Sequence, residues 1–444
     1  MNRGVSVGLV FGVALAQGEI SAGDTAWVLV STALVLMMTP ALGLFYAGLV
    51  RSKNTLNTFM MSLAAMGVVT LVWVLIAYSL AFAPGNSLVG GTQHALLSGV
   101  GLGAREGLAI PDLLFVVFQA SFCIITAALI SGAVVERMRF APFLVFMALW
   151  SALIYAPLAH WVWGGGWLQK LGVLDFAGGV PVEMASGFSA LAAALVLGAR
   201  KDYGRQALLP HNGVFALLGA GLLWFGWFGF NGGSALAAGG AAALAFANTL
   251  LAPAATLVVW IILDLGRGGK ATAIGAATAV VVGAVAITPA AGFIGPMAAL
   301  LLGGVAAIPS YFFIAWRTRT RLDESLDVLA AHGLGGVMGM LFIGLFAQKD
   351  WNGLADGLLF GNPAQLGLQA LAVLAAVTYS FGGTFVLLKV LETLLPLRAT
   401  PREEGMGMDV TQHGEEAYTN GEGAILVKSE PGAVGKAKAA AGTD

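Results

Sequence analysis

Charge is what this chain has least of. Lys and Arg number 22 and Asp and Glu 23 in 444 residues, 10% in all, against 58% hydrophobic residues. A soluble globule of this size needs far more polar surface, so that class is excluded, and a nucleic-acid partner has no basic surface to hold it. Cysteine is nearly absent, and with Cys123 alone no intramolecular disulfide can form. Histidine is also scarce, at five residues. No His/Cys/Asp/Glu spacing matches a metal site or a catalytic triad, so no metal, cofactor or enzymatic centre is expected.

What is abundant is long apolar sequence. Crossing the hydrocarbon takes about 20 apolar residues per helix, and eleven such runs are present: 26–50, 55–83, 111–134, 140–160, 180–199, 213–232, 240–264, 271–288, 292–316, 327–347 and 364–396. The fold class is therefore an all-α polytopic membrane protein. Alternate loops, beginning with Arg51 and Lys53, carry twelve Lys and Arg, and the intervening loops carry three, Arg105, Lys170 and Lys349. The positive-inside rule then puts the N-terminus outside and the C-terminus in the cytoplasm, which suits an odd number of spans. Residues 1–16, with Arg3, an apolar stretch and Ala14-Leu15-Ala16, read as a signal peptide; a short uncleaved leader is the alternative.

Two ionisable residues stand at matching places in the two halves: Glu183 near the start of the fifth run and His332 near the start of the tenth. Charged or titratable groups at membrane depth usually line a cavity or relay protons. The runs thus divide as five, five and one. Five being odd, the second set enters from the opposite side, an inverted repeat followed by one long C-terminal helix. Ser186, Ala190 and Ala194 in the fifth run, and Gly335 and Gly339 in the tenth, form small-residue stripes where helices are expected to approach closely. The domain plan is a membrane domain over 24–396, a cytoplasmic region over 397–418, and a Gly/Ala/Lys-rich tail over 419–444 expected to be disordered.

Several local strings then carry a resemblance. They include Ala47-Gly48-Leu49-Val50-Arg51-Ser52-Lys53-Asn54, Phe118-Gln119-Ala120-Ser121-Phe122, His160-Trp161-Val162-Trp163-Gly164-Gly165-Gly166, Asp175-Phe176-Ala177-Gly178-Gly179 and Gly226-Trp227-Phe228-Gly229-Phe230-Asn231. Ile287-Thr288-Pro289-Ala290 and, in the tail, Gly407-Met408-Asp409-Val410 with His413-Gly414-Glu415 complete the set. Over roughly 24–418 the chain resembles the ammonium transporter (Amt/Mep/Rh) family.

The resemblance implies a homotrimer with one pore per subunit. Phe122, Trp163 and Ser234 match the family's outer recruitment site, Phe122 and Phe230 its pair of stacked gate rings, and Asp175 the acid that shapes the outer site. Phe118, Trp227 and Asp327 are supporting positions. Aromatic faces attract a cation and a hydroxyl accepts one ammonium proton; the bland readings are an interfacial aromatic belt for Trp163, core packing for the two Phe rings and a helix cap for Asp175. His332 aligns with the second family histidine, but Glu183 stands where the first belongs, as in some fungal members. A carboxylate beside an imidazole titrates with it as a unit, so the pair is expected to pass the proton stripped from ammonium; interhelical hydrogen bonding alone is the alternative.

The expected activity is transmembrane ammonium transport in a bacterial inner membrane, with ammonia crossing an apolar pore and the proton relayed by Glu183 and His332. An electroneutral Rh-like ammonia channel and an ammonium sensor with little flux are the rivals. Beyond the bilayer and the homotrimer, the tail string implies a possible PII-type signalling protein as partner.

Overall fold

Eleven helices of the computed structural model, which describes residues 19–418, are long and apolar enough to cross a membrane. In chain order they are α1 (Ala22–Leu49), α2 (Ser52–Phe82), α3 (Asp112–Val134), α4 (Phe140–Leu171), α5 (Gly179–Leu197), α6 (Gly213–Gly233), α7 (Gly240–Gly268), α8 (Ala273–Ala290), α9 (Pro296–Arg317), α10 (Leu329–Phe346) and α11 (Pro363–Leu394). Two short helices follow in the tail, α12 (Pro401–Met406) and α13 (Met408–His413). Among the described residues there are no β-strands, only three isolated bridges. The signal peptide expected at 1–16 and the tail segment 419–444 lie outside the described residues.

Every apolar run corresponds to one helix, and the ends differ where hydropathy and backbone part company. The seventh run loses its apolar character at 264, yet α7 continues to Gly268 and stops only where Gly269 adopts a left-handed conformation at φ 69°. Polar caps begin several helices: the side chains of Ser21, Asn212 and Thr272 accept the amides of Asp24, Phe215 and Gly275.

Two pairings tie the halves together. The first helix of each half packs against the other, and α6 turns glycines toward α1: Cβ atoms at Gly219, Gly226 and Gly233 would meet Phe45, Met38 and Ser31. The fifth helices of the halves, α5 and α10, also cross. Two further glycines make their contact, and the predicted Gly335/Gly339 stripe makes its close approach to another helix. A Cβ at Gly187 would collide with the backbone of Gly333, and one at Gly336 would press on Glu183 and Met184, whereas Gly335 and Gly339 face Val285 and Pro289 of α8. Small residues are so common in this chain that the sequence alone could not rank the stripes.

Both crossing helices begin with a π-helical turn, Gly179–Met184 in α5 and Leu329–Gly333 in α10. Such turns insert an extra residue, leave the regular hydrogen-bond ladder disturbed and recur at functional sites. Glu183 and His332 each sit inside one of them.

Candidate functional site

At the end of the molecule away from the tail, a cavity of about 160 Å³ is lined by Phe122, Trp163 and Ser234, with Phe82, Phe115 and Gln119. Trp163 is held by its indole N–H, which donates to the Asp175 carbonyl at 3.0 Å, and its ring stands edge-on to Phe122 with centroids 6.2 Å apart. Ser234 donates its hydroxyl proton to the Phe230 carbonyl at 2.8 Å, which leaves the oxygen's lone pairs free to accept. Gln119, which composition and pattern did not single out, brings a buried carbonyl oxygen with no partner among the described residues. A cavity edged by two acceptors and π-faces suits a small cation that donates hydrogen bonds.

Asp175 sits close by, but its carboxylate is already engaged. Oδ1 accepts the amides of Gly178 and Gly179 at 2.8 and 2.7 Å, and Oδ2 accepts that of Val180 at 2.7 Å. The residue therefore caps the first turn of α5, and its contribution to the cavity is the carbonyl that fixes Trp163. Burial pushes its carboxyl above the usual range, against those three amides, which pull it down.

Below the cavity, the Phe122 and Phe230 rings lie 4.3 Å apart at 44°. The resemblance implied stacked rings; here they are tilted, because Phe122 is also wedged edge-on against Phe118 at 4.9 Å and Phe230 packs on Trp227 at 5.7 Å. Trp227 is in turn fixed by an indole N–H to Thr288 Oγ1 at 2.8 Å. Beneath the rings the lumen offers only about 10 Å³, close to the space of one water-sized sphere. Its walls are Met38, Leu42, Ile125, Leu129 and similar apolar side chains, interrupted by Glu183 and His332. Glu183 Oε2 and His332 Nδ1 are 2.7 Å apart, and Glu183 Oε1 has no partner among the described residues. The geometry is that of a hydrogen-bonded carboxylate and imidazole in a narrow, mostly apolar passage.

On the tail side, a wider cavity of about 590 Å³ is lined by Ser325, Leu326, Asp327, Arg317 and Tyr203. Asp327 adopts a left-handed backbone at φ 60° and binds Arg317 Nε through Oδ1 at 2.6 Å. Between this cavity and the lumen, Tyr46 and Val328 meet over Gly132, where no side chain would fit.

Four loops and the tail are knitted together on this face. Glu136 binds Arg51 at 3.0 Å and Arg200 at 2.7 Å, and Arg200 continues to Asp323 at 2.8 Å. The two arginines hold the Glu136 carboxyl down to about 2 although burial opposes ionisation. The tail docks through Asp409, whose carboxylate accepts the amides of Leu56 and Asn57 at the start of α2, and through Glu404, whose Oε2 accepts the Lys201 amide at 2.9 Å. None of this network was read from the sequence: its partners are 64 to 353 residues apart and each alone reads as a loop charge.

Residues 26–418 match the Ammonium Transporter Family. An ammonium transporter of Bacillus subtilis is 46% identical over 399 residues, covering 89% of this chain and 98% of that protein. Among solved structures, Mep2 of Candida albicans superposes with a TM-score of 0.83 at 35% identity, covering 87% of this chain and 88% of the other. A protein described as a sensor Amt protein superposes with a TM-score of 0.82 at 30% identity, covering 88% and 98%.

Proposed function

The chain belongs to the ammonium transporter family and carries ammonium across a membrane, and from that premise we propose that it does so by separating ammonium into ammonia and a proton. Ammonium is drawn into the cavity of Trp163, Phe122 and Ser234, where π-faces and the hydroxyl replace part of its hydration shell. The tilted Phe122 and Phe230 rings bar a hydrated ion. The proton passes to Glu183, ammonia crosses the apolar lumen, and the Glu183/His332 pair delivers the proton on the far side, so that net charge moves.

The observation that carries this reading is the 2.7 Å contact between Glu183 and His332 inside a lumen of about 10 Å³. A proton relay needs linked titratable groups and an ammonia path needs narrow apolar walls, and the coincidence of the two features here supports the reading. The supporting roles fall to Phe118 and Trp227, which brace the rings, to Asp175, which sets Trp163, and to Asp327, which with Arg317 borders the exit.

The twelve basic residues of the tail-side loops support a reading in which that face is cytoplasmic and the Ser234 cavity lies outside. The same reading takes 24–396 as the transport domain and 397–418 as a docked cytoplasmic region of a homotrimer in a bacterial inner membrane. A PII-type protein is the candidate partner on that face. A sensor role is the second reading, favoured by the likeness to the sensor Amt protein.

The test is charge translocation in proteoliposomes after an ammonium pulse, with potassium and methylammonium controls. A current selective for ammonium supports separated transfer. Uptake without current points to an electroneutral channel, and binding without uptake to a sensor.

A further inference from the structure

Asp175 stands eight residues before Glu183, and Glu324 stands eight residues before His332. The two acids are counterparts in the repeat: each is buried, and each caps the π-helical turn that holds its half's pore residue. They differ in one respect. Asp175 has both oxygens occupied by amides, whereas Glu324 accepts only the Leu329 amide, through Oε2 at 3.2 Å, and its Oε1 has no partner among the described residues although the side chain is fully buried. Leaving a carboxylate oxygen buried and unpaired is costly, so a role for that oxygen is called for.

Its position suggests which. Ser325, Leu326 and Asp327 line the tail-side cavity, and His332 lines the lumen. The Glu324 carboxylate, bonded to the Leu329 amide, sits at the start of the π-helical turn that carries His332, and its chain neighbour Ser325 already lines the tail-side cavity. We propose that Glu324 is the group through which the relayed proton leaves the Glu183/His332 pair for the cytoplasmic cavity.

The step balances in protons. One proton enters the pair at Glu183 Oε1 and one leaves from His332 Nε2, the ring nitrogen not bonded to Glu183. It passes over an intervening water to Glu324 Oε1, converting the carboxylate to the acid. Loss of the same proton to water in the cavity restores the carboxylate. Only N–H and O–H bonds are made and broken.

The surroundings suit such a carrier. Burial pushes the Glu324 carboxyl above the ordinary carboxylate range, helped by the charge of Asp327 and opposed by Arg317. Arg137 from the loop after α3 and Tyr46 from α1 are close enough to act on it or be acted on by its charge. A carboxyl whose hold on a proton is raised toward the operating pH is matched to the task.

The proposal rests on the separated-transfer reading above, and one experiment keeps the two apart. Proteoliposome currents after ammonium pulses are recorded between pH 5 and 8 for the parent, Glu324→Gln and Glu324→Asp, with internal pH followed in parallel. Gln retains an oxygen for the Leu329 amide but carries no proton. The expected result is at least a tenfold loss of current in Glu324→Gln with ammonia entry, seen as internal alkalinisation, retained, and a current in Glu324→Asp whose pH midpoint has moved. A Glu324→Gln current equal to the parent's overturns the proposal alone. If Glu324→Gln does not fold, an unmoved pH midpoint in Glu324→Asp overturns it. A parent that admits ammonia with no current overturns both readings.

Discussion

Gly187 and Gly333 touch backbone to backbone where α5 crosses α10, and a side chain on Gly187 would collide with the Gly333 main chain. The contact lies four residues after Glu183 and one after His332, so it sets the separation of the two pore residues as much as it packs the helices. A backbone neighbour cannot rotate aside as a side chain can.

Gly187→Val therefore has to push the helices apart. We expect a stability loss of about 1–3 kcal/mol, in the range of overpacked cores, with transport falling by more than tenfold. Thermal unfolding in detergent and ammonium uptake read the two effects; Val at Gly221, where a Cβ meets nothing, is the control that leaves both unchanged.

Glu183→His replaces a carboxylate at 2.7 Å from His332 Nδ1 by a second imidazole. Two neutral imidazoles can then pass a proton along their hydrogen bond with no net charge buried, which a carboxylate and an imidazole cannot do in the same way. The expected outcome is a transporter that conducts with a displaced pH–current profile, measured with ammonium pulses from pH 5 to 8. A superimposable profile and rate would remove Glu183 from the proton path.

Asp175→Asn separates capping from charge. Asparagine has one side-chain acceptor where the aspartate presents two oxygens to three amides. At least one amide is left unsatisfied, at a cost of about 1 kcal/mol, and Trp163, tied to the Asp175 carbonyl, loses its fixed position. Melting temperature and the ammonium concentration at half-maximal uptake are both expected to change; a change in uptake with an unaltered melting curve would return Asp175 to a direct part in cation binding.

Acid should loosen the tail-side face through Glu136. Its carboxyl is held at about 2, below an ordinary value of 4.5. The folded state thus binds fewer protons there than the unfolded state. The stabilisation is fully present above pH 4.5 and is lost as pH falls through about 2. The difference corresponds to roughly 3 kcal/mol, and Glu136→Gln is expected to remove a comparable amount at neutral pH while flattening the acid limb of the unfolding curve.

The membrane plan was legible because its signals are long and redundant: eleven apolar runs yield eleven helices, and the runs around Glu183 and His332 declare their own exceptional polarity. The aromatic and hydroxyl positions at 122, 163, 230 and 234 were legible through family strings, since a phenyl ring in a core and one in a gate look alike by pattern. What escaped depends on tertiary geometry. The cap of Asp175 and the tilt of Phe122 against Phe230 are set by neighbours distant in sequence. Gly187 is one of 62 glycines, and nothing local marks it as the one facing Gly333. Glu136, Arg200 and Asp323 come from three different loops and acquire meaning only as a chain of ion pairs.

The unequal spaces along the passage have an electrical consequence. Cavities of about 160 Å³ at the Ser234 end and about 590 Å³ on the tail side flank a lumen of about 10 Å³. Water filling both ends would bring the potential of each bath inward, so that the low-dielectric stretch from Phe230 to Val328 takes most of the voltage drop. In the proposed relay a proton handed from Glu183 to His332 and onward crosses that stretch, so a membrane voltage of 100 mV biases its passage by up to ~2.3 kcal/mol, whereas neutral ammonia in the same lumen feels none of it.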